Sequence, residues 1–158
     1  TGNTLSVETT SLLAEHENIV GIKDSSGEVN YHYRLIDATP PDFAVLQGAT
    51  GIALASLEGG GDGIVPGLAN VFPSALTELY ETYRNGDHAR AIEVASDVAN
   101  PLLSAYDGLP LVSALKYLVE LTGHEVGPPL LPLPELSDAQ RHTLRERYNT
   151  VAQQVARH

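Results

Sequence analysis

Short apolar runs alternate with helical patterns along the first half of the chain. Runs of β-branched and other apolar residues are typical of buried strands, and apolar positions three or four residues apart are typical of helices packed on them. The pattern predicts strands over residues 19–22, 43–46 and 63–65, and helices over residues 6–16, 29–38 and 51–57 and from about residue 70 to 84. Because such alternation is typical of βαβ units, we expect a parallel sheet whose strands all end at one edge.

The second half of the chain carries helical patterns only. Helices are predicted over residues 87–99, where Pro101 interrupts the pattern, and over residues 109–122. A proline-rich connector over residues 127–134 precedes a last helix, which begins at Ser137 with a Ser-x-x-Gln capping box. We therefore expect βα units over residues 1–86 and a C-terminal helical extension over residues 87–158.

The most informative strand end carries Lys23. In parallel α/β architectures, functional residues collect at the carboxyl ends of the strands. Lys23 directly follows the first predicted strand, whose flanks we expect to be buried, and burial without a charge partner favours a neutral amine. A neutral amine attacks a ketone to form a Schiff base. The alternative is a lysine that extends to solvent or pairs with Asp24.

The sequence gives weaker evidence for other kinds of functional site than for a reactive Lys23. The six histidines show no metal-ligand spacing, so we expect solvated side chains and no metal site. The glycine-rich residues 59–63 precede a predicted strand, whereas a phosphate-binding loop follows one, so a plain turn is expected. The sequence holds no cysteine, which excludes disulfides, thiolate zinc sites and a cysteine nucleophile.

The net charge and the hydropathy of the sequence restrict the classes of binding partner and the cellular location that we expect. The formal net charge is −11, with 20 acidic and 9 basic residues, which argues against nucleic acid and anionic membranes as partners. The acidity would suit a high-salt cytoplasm, or it marks an ordinary acidic soluble protein. No apolar run is long enough to span a membrane, so we expect a cytoplasmic protein. The sequence begins at Thr1 and lacks methionine, which removal of an initiator or a truncated chain would explain.

Several segments resemble one enzyme family. Residues 18–27, NIVGIKDSSG, resemble the Schiff-base lysine segment of the dihydrodipicolinate synthase / N-acetylneuraminate lyase family of class I aldolases. Residues 1–5 resemble the segment after the fifth barrel strand of that family, residues 43–48 its seventh strand, and residues 60–70 its eighth strand and the following turn. The resemblance implies an α/β fold made of strands six to eight of a (β/α)8 TIM barrel and a helical tail. A whole barrel typically needs about 250 residues, and this chain has 158.

The resemblance also implies roles for individual residues. Lys23 would form the imine with pyruvate or another 2-keto acid, Gly48 would let the substrate approach closely, and the Val65 carbonyl would line the pyruvate pocket. Members that cleave sialic acid carry acidic residues after the seventh-strand glycine and a serine near the end of the eighth strand. Here Thr50 and Gly67 stand at those places, with Ala49 and Gly51 beside Thr50, which favours a smaller partner than sialic acid.

The expected function is reversible cleavage of a 2-keto-3-deoxy sugar acid, such as 2-keto-3-deoxygluconate, to pyruvate and an aldehyde. The first alternative is 4-hydroxy-tetrahydrodipicolinate synthesis from pyruvate and aspartate semialdehyde; a non-catalytic half-barrel scaffold and a keto-acid-binding module are the others. No cofactor is expected, and the resemblance implies a homo-oligomer, commonly a tetramer. The family's acid–base tyrosine and its carboxylate-binding turn precede the segment that matches Thr1, so this chain alone would lack both.

Overall fold

The computed structural model describes residues 3–155, which fall into two compact units. The first unit ends at Pro66 and the second begins at Gly67. Thr1 and Gly2, which carry part of the resemblance noted above, lie outside the described residues, as do residues 156–158. The predicted change of architecture after residue 86 stays a prediction.

Helices and short strands alternate in the first unit, as the pattern predicted. Its elements are α1 (Val7–Ala14), β1 (Gly21–Asp24), α2 (Val29–Ala38), β2 (Ala44–Gln47), a 3-10 turn (Thr50–Ile52), α3 (Ala53–Glu58) and β3 (Gly63–Ile64). Ser6 caps α1, because its hydroxyl accepts a hydrogen bond from the Thr9 amide at 3.1 Å. Pro40 and Pro41 follow α2 closely, which fits the end of that helix at Ala38.

The three strands form one parallel sheet in the order β1-β2-β3, which confirms the parallel βαβ prediction. Lys23 pairs with Leu46, and Gln47 pairs with both Asp24 and Ile64, so the carboxyl ends of the strands meet at one edge. Among the described residues, β1 pairs only with β2 and is an edge strand.

The core of the first unit lies between the sheet and its helices. Leu35 of α2 is fully buried and packs with Phe43 and Val45 at the second strand. Partly buried side chains pack against this cluster: Val7, Ala14, Ile19, Ile22, Tyr31 and Ile36. Burial of apolar area at this cluster is the main force that holds α2 on the sheet.

The first strand begins later than predicted. The apolar run at residues 19–22 was expected to be the strand, but β1 spans Gly21–Asp24 and Val20 is 75% exposed. The backbone at Val20 still helps to align the strands, because its carbonyl accepts a hydrogen bond from the Ala44 amide at 2.9 Å. Pairing with β2, rather than the apolar run itself, determines where the strand begins.

The second unit is helical. Its elements are a 3-10 turn (Gly67–Asn70), α4 (Pro73–Arg84), α5 (His88–Val94), a π-helical turn (Ala95–Ala99), α6 (Asn100–Ala105), α7 (Leu111–Leu121) and α8 (Asp138–Val155). Pro73 is at the start of α4, where its missing amide hydrogen costs nothing. The capping box predicted at α8 is present: the Gln140 amide donates to the Ser137 hydroxyl at 3.3 Å, and the Ser137 amide donates to the Gln140 side chain at 2.8 Å.

The prediction that Pro101 ends a helix is wrong. The helix continues through the π turn into α6, and the Asn100 amide bonds to the Ala95 carbonyl, five residues earlier. A proline in a helix removes one backbone hydrogen bond and crowds the carbonyl four residues before it. A wider π turn just before the proline relieves that crowding.

No helix within residues 3–155 is both long and apolar enough to cross a membrane.

Candidate active site

Lys23 lies at the carboxyl end of β1, where the sequence placed it. Successive strand residues face opposite sides of a sheet, and accordingly the Lys23 side chain is exposed whereas that of Asp24 is 4% exposed. The expectation of buried surroundings for the lysine is therefore wrong in this structure. Since β1 is an edge strand, no described strand covers its outer side.

Lys23 does not pair with Asp24. Within residues 3–155, the Lys23 amine makes no hydrogen bond and no ion pair. The Asp24 carboxylate turns to the other side of the strand, where it accepts a hydrogen bond from the Ser26 amide at 2.8 Å and contacts the ring of His32. The amine is thus left available to a ligand.

A cavity of about 610 Å³ adjoins the lysine. It lies within the first unit and is lined by polar and apolar groups in similar measure, from the start of the described chain, from β1 and the turn after it, and from α2: Asn3, Thr4, Leu5, Ile22, Lys23, Asp24, Ser25, Ser26 and Tyr31. This volume is in the range of small-molecule sites. A small ligand beside Lys23 would meet hydroxyl and amide groups on the cavity wall.

Gly48 lies directly against the lysine side chain. A Cβ atom at position 48 would lie 2.6 Å from the Lys23 Cε and 3.1 Å from the Asp24 carbonyl oxygen, and it would collide with the Ser25 hydroxyl. The Gly48 amide donates a hydrogen bond to that same Asp24 carbonyl at 2.6 Å. The absence of a side chain at Gly48 therefore lets Lys23 pass over the end of β2.

The other predicted site residues are distributed over both units. Thr50 is 6% exposed at the start of the 3-10 turn that follows β2. Val65 directly follows β3, and its amide donates to the Gln47 carbonyl at 2.7 Å. Gly67 begins the second unit, where a Cβ atom would lie 2.6 Å from a methyl carbon of Leu115. Their roles in binding stay predictions.

A buried hydrogen-bonded chain lies behind the lysine. His32 Nδ1 is 3.1 Å from Asp24 Oδ2, and His32 Nε2 is 2.7 Å from the Ser56 hydroxyl. Gln47 approaches the same carboxylate oxygen at 3.5 Å, and its side-chain carbonyl accepts from the Ala49 amide at 2.7 Å. His32 is completely buried, so the expectation of solvated histidines is wrong for this residue.

Tyr31 is a third titratable group on the cavity wall, beside Lys23 and Asp24. Burial raises the pKa of the Tyr31 phenol, and the charge of the Asp24 carboxylate adds to that increase. The hydroxyl donates to the Leu5 carbonyl at 2.8 Å, so Tyr31 ties α2 to the segment before α1.

Within the described residues, no group of three or more His, Asp or Glu side chains is placed to hold a metal ion.

A family model matches this chain almost throughout. The model describes the dihydrodipicolinate synthetase family, and it matches residues 1–151. The chain belongs to this family. The resemblance identified from the lysine segment and the strand ends is therefore confirmed.

Relatives of the dihydrodipicolinate synthetase family match at moderate identity. The chain is 39% identical over 149 residues to a 4-hydroxy-tetrahydrodipicolinate synthase of Methanoculleus marisnigri, covering 92% of this chain and 50% of the relative. It is 36% identical over 144 residues to an uncharacterised DapA-like lyase of Halobacterium salinarum, covering 91% of this chain and 47% of the relative. The chain thus spans about half the length of these curated relatives.

Solved structures of the family share the fold. The chain superposes with a TM-score of 0.87 and 26% identity on YagE, an Escherichia coli K12 prophage protein of the dihydrodipicolinic acid synthase family solved in complex with pyruvate. The match covers 96% of this chain and 53% of YagE. The α/β fold of this family is therefore present here, over half of its usual length.

Sequence reasoning missed the part of the site behind the strand. His32, Ser56 and Tyr31 were not predicted to lie near Lys23. One signal was available: His32 precedes the core residue Leu35 by three positions, so both fall on the same face of α2. A histidine on the apolar face of a helix needs hydrogen-bond partners in the layer beneath, and here Asp24 and Ser56 provide them.

Proposed function

We propose that this chain is the lysine-bearing half of a Schiff-base lyase that acts on pyruvate. The observation that carries the proposal is the position of Lys23. The residue lines a cavity of about 610 Å³, its Cε lies against Gly48, and its amine is free of ion pairs within residues 3–155. Membership of the dihydrodipicolinate synthetase family supports this assignment.

The proposed chemistry begins at the Lys23 nitrogen. The Lys23 amine gives up its proton and attacks the ketone carbon of pyruvate, and the carbinolamine loses water to give an imine. The protonated imine withdraws electrons, so a proton leaves the adjacent methyl carbon and an enamine forms. The enamine carbon then attacks the carbonyl of an aldehyde to form a C–C bond, and water hydrolyses the imine to release the product. Cleavage runs through the same steps in reverse.

For the aldehyde partner we propose aspartate semialdehyde, as in 4-hydroxy-tetrahydrodipicolinate synthesis. The sugar acid was the first expectation from the sequence, but the names of relatives such as that of Methanoculleus marisnigri favour the alternative. Cleavage of a 2-keto-3-deoxy sugar acid is the second candidate. It is supported by the small, uncharged residues Ala49, Thr50 and Gly51 after β2, where members that cleave sialic acid carry acidic residues, so a smaller substrate is favoured.

We further propose that β1, β2 and β3 correspond to strands six to eight of a TIM barrel. In that geometry the open edge of β1 would pair with a further strand, and the exposed face that carries Lys23 would become the barrel interior. The family's acid–base tyrosine would then come from the adjoining strand, before the segment that matches Thr1. A homo-oligomer, and a tetramer in particular, stays a prediction.

Parallel assays with the two candidate substrates test the proposal. The chain is supplied with pyruvate and aspartate semialdehyde, or with 2-keto-3-deoxygluconate, and pyruvate is followed over time; Lys23→Ala is the control for each reaction. Consumption of pyruvate that depends on the semialdehyde and on Lys23 supports the synthase. Release of pyruvate from the sugar acid alone favours the second candidate. Imine formation without turnover of either substrate would be the result for a keto-acid-binding module, and equally for a lysine-bearing half that lacks the tyrosine of the adjoining strand.

A further inference from the structure

The hydrogen-bonded chain behind β1 ties together four elements of the first unit. Asp24 belongs to β1, His32 to α2, Gln47 to β2 and Ser56 to α3. All four side chains are buried, with exposed fractions of 4%, 0%, 0% and 1% in that order. Buried polar groups are costly unless they are hydrogen-bonded, and within this chain of contacts each one has a partner.

The order Asp24–His32–Ser56 matches the order of groups in a serine hydrolase triad, but it does not serve that chemistry here. The Ser56 hydroxyl is enclosed, with 1% of the residue exposed, so no acyl substrate can reach it. The hydroxyl also packs where a side chain at Gly61 would otherwise stand. A role for this chain of contacts must therefore act through the residues that it holds.

The residue that it holds most firmly is Asp24, the neighbour of Lys23. One carboxylate oxygen of Asp24 accepts from the Ser26 amide at 2.8 Å, and the other contacts His32 at 3.1 Å and Gln47 at 3.5 Å. The Asp24 carbonyl accepts from the Gly48 amide at 2.6 Å. Hydrogen bonds thus hold both the carboxylate and the backbone carbonyl of Asp24. They thereby hold the end of β1, from which the Lys23 side chain points to the opposite side of the strand.

We propose that the Asp24–His32–Ser56 network is a positioning device for Lys23: it anchors the carboxyl end of β1 from behind and so holds the amine over Gly48. This inference rests on the proposed function of Lys23. His32 is a positioning residue in this account, since it touches Asp24 and not the lysine or its ligand. Its contact with Asp24 is the critical link, whereas its contact with Ser56 keeps the ring in place.

Two variants of His32 separate these links. In His32→Asn, the side-chain amide lies near the position of Nδ1, so it can still donate to Asp24 but cannot reach Ser56. In His32→Gln, the amide lies near the position of Nε2, so it can still bond to Ser56 but leaves Asp24 without that donor. Both variants replace the ring by a smaller amide in a buried site, so each serves as the control for the destabilisation caused by the other.

The chain offers an internal reference for the measurement, because Lys23 and Lys116 are its only lysines. Lys116 lies in the second unit and donates to the Val126 carbonyl at 2.8 Å. The experiment measures two quantities in the full chain: the rate of borohydride trapping of pyruvate at Lys23, and the NMR signals of both lysines after reductive methylation with ¹³C-formaldehyde. The second quantity needs no pyruvate.

The inference predicts that His32→Gln slows trapping at Lys23 by about 10- to 100-fold, as expected for a misplaced reacting group. It also predicts a shifted Lys23 methyl signal in His32→Gln, a smaller effect in His32→Asn, and an unchanged Lys116 signal in both. Equal behaviour of wild type and both variants at Lys23 would overturn the inference. So would equal losses in both variants accompanied by a change at Lys116, which would indicate general destabilisation.

The two proposals can fail separately. If the wild type traps no pyruvate, the proposed function fails, and the methyl signals still decide whether the network positions the amine. If neither His32 variant folds, Asp24→Asn replaces them: it keeps the size of the side chain and removes the charge that faces His32. A shifted Lys23 signal with an unchanged Lys116 signal in that variant supports the network, and an unshifted Lys23 signal overturns it.

Discussion

Gly48 and Lys23 fit together so closely that a Cβ atom at position 48 would lie 2.6 Å from the Lys23 Cε. Real contacts between such atoms are longer, so a side chain at position 48 must displace the lysine. The same added atom would stand 3.1 Å from the Asp24 carbonyl oxygen, which is backbone and cannot move aside easily.

The first prediction concerns Gly48→Ala. We expect the variant to slow pyruvate trapping at Lys23 by about 10- to 100-fold because the amine is displaced, and to lower the free energy of unfolding by about 1–3 kcal/mol because of overpacking. The two effects are measured by borohydride trapping and by urea denaturation.

Gly86→Ala is the control for the loss of stability. Gly86 follows α4 with a φ of 83°, where alanine is strained by about 1–2 kcal/mol, and its added Cβ would meet no described atom within 4 Å. This variant should be less stable but trap pyruvate at the normal rate per folded molecule. Normal trapping in Gly48→Ala would contradict the proposed fit.

The second prediction concerns the core of the first unit. Leu35→Ala should lower the free energy of unfolding by about 2–5 kcal/mol, because Leu35 is completely buried against Phe43 and Val45. Leu12 of α1 is 68% exposed, so Leu12→Ala should change it by no more than about 0.5 kcal/mol. Urea denaturation compares the two variants, and similar losses would argue against the packing described for α2.

The third prediction concerns the start of α8. Ser137→Ala removes the acceptor of the Gln140 amide and should cost about 0.5–2 kcal/mol of stability. Thr143 is an exposed residue of the same helix, and Thr143→Ala should be nearly neutral. Thermal denaturation followed by circular dichroism gives both values; equal melting temperatures for the two variants would count against the capping box.

The fourth prediction concerns alkaline pH. Burial raises the pKa of Tyr31 above its ordinary value of 10.0, so the unfolded chain loses the phenolic proton at a lower pH than the folded chain. The unfolded state therefore binds fewer protons in this window, and the free energy of unfolding falls as pH rises above about 10. Tyr31→Phe should be less stable near neutral pH, because it loses the bond to Leu5, but should lose less stability between pH 9 and 11, roughly. Identical pH slopes would contradict this.

Much of the fold could be predicted because local signals and tertiary packing agree. The helix α2 was predicted over its observed residues, since its apolar positions, its entry turn and the following prolines all indicate the same bounds. The start of β1 was misplaced because an apolar run was taken for the strand, whereas pairing with β2 defines it. The continuation of the helix past Pro101 was missed because the π turn that accommodates the proline has no sequence signal of its own.

The site divides in the same way. The closeness of Lys23 and Gly48 could be predicted because both lie at the carboxyl ends of predicted strands, and parallel strands place those ends together. The surroundings of Lys23 could not, because its exposure depends on which strands lie beyond β1. His32 and Ser56 are 24 positions apart in the sequence, and only the packing of α2 and α3 on the sheet brings them together behind Asp24.

The most direct test of the account is reduction with borohydride in the presence of pyruvate, followed by peptide mapping with mass spectrometry. The chain has two lysines, so the result is simple to assign. We predict an adduct on the peptide that contains Lys23, lost in Lys23→Ala and retained in Lys116→Ala. An adduct on Lys116 in the wild type, or no adduct on a folded sample, would contradict the assignment of Lys23 as the Schiff-base residue of this chain.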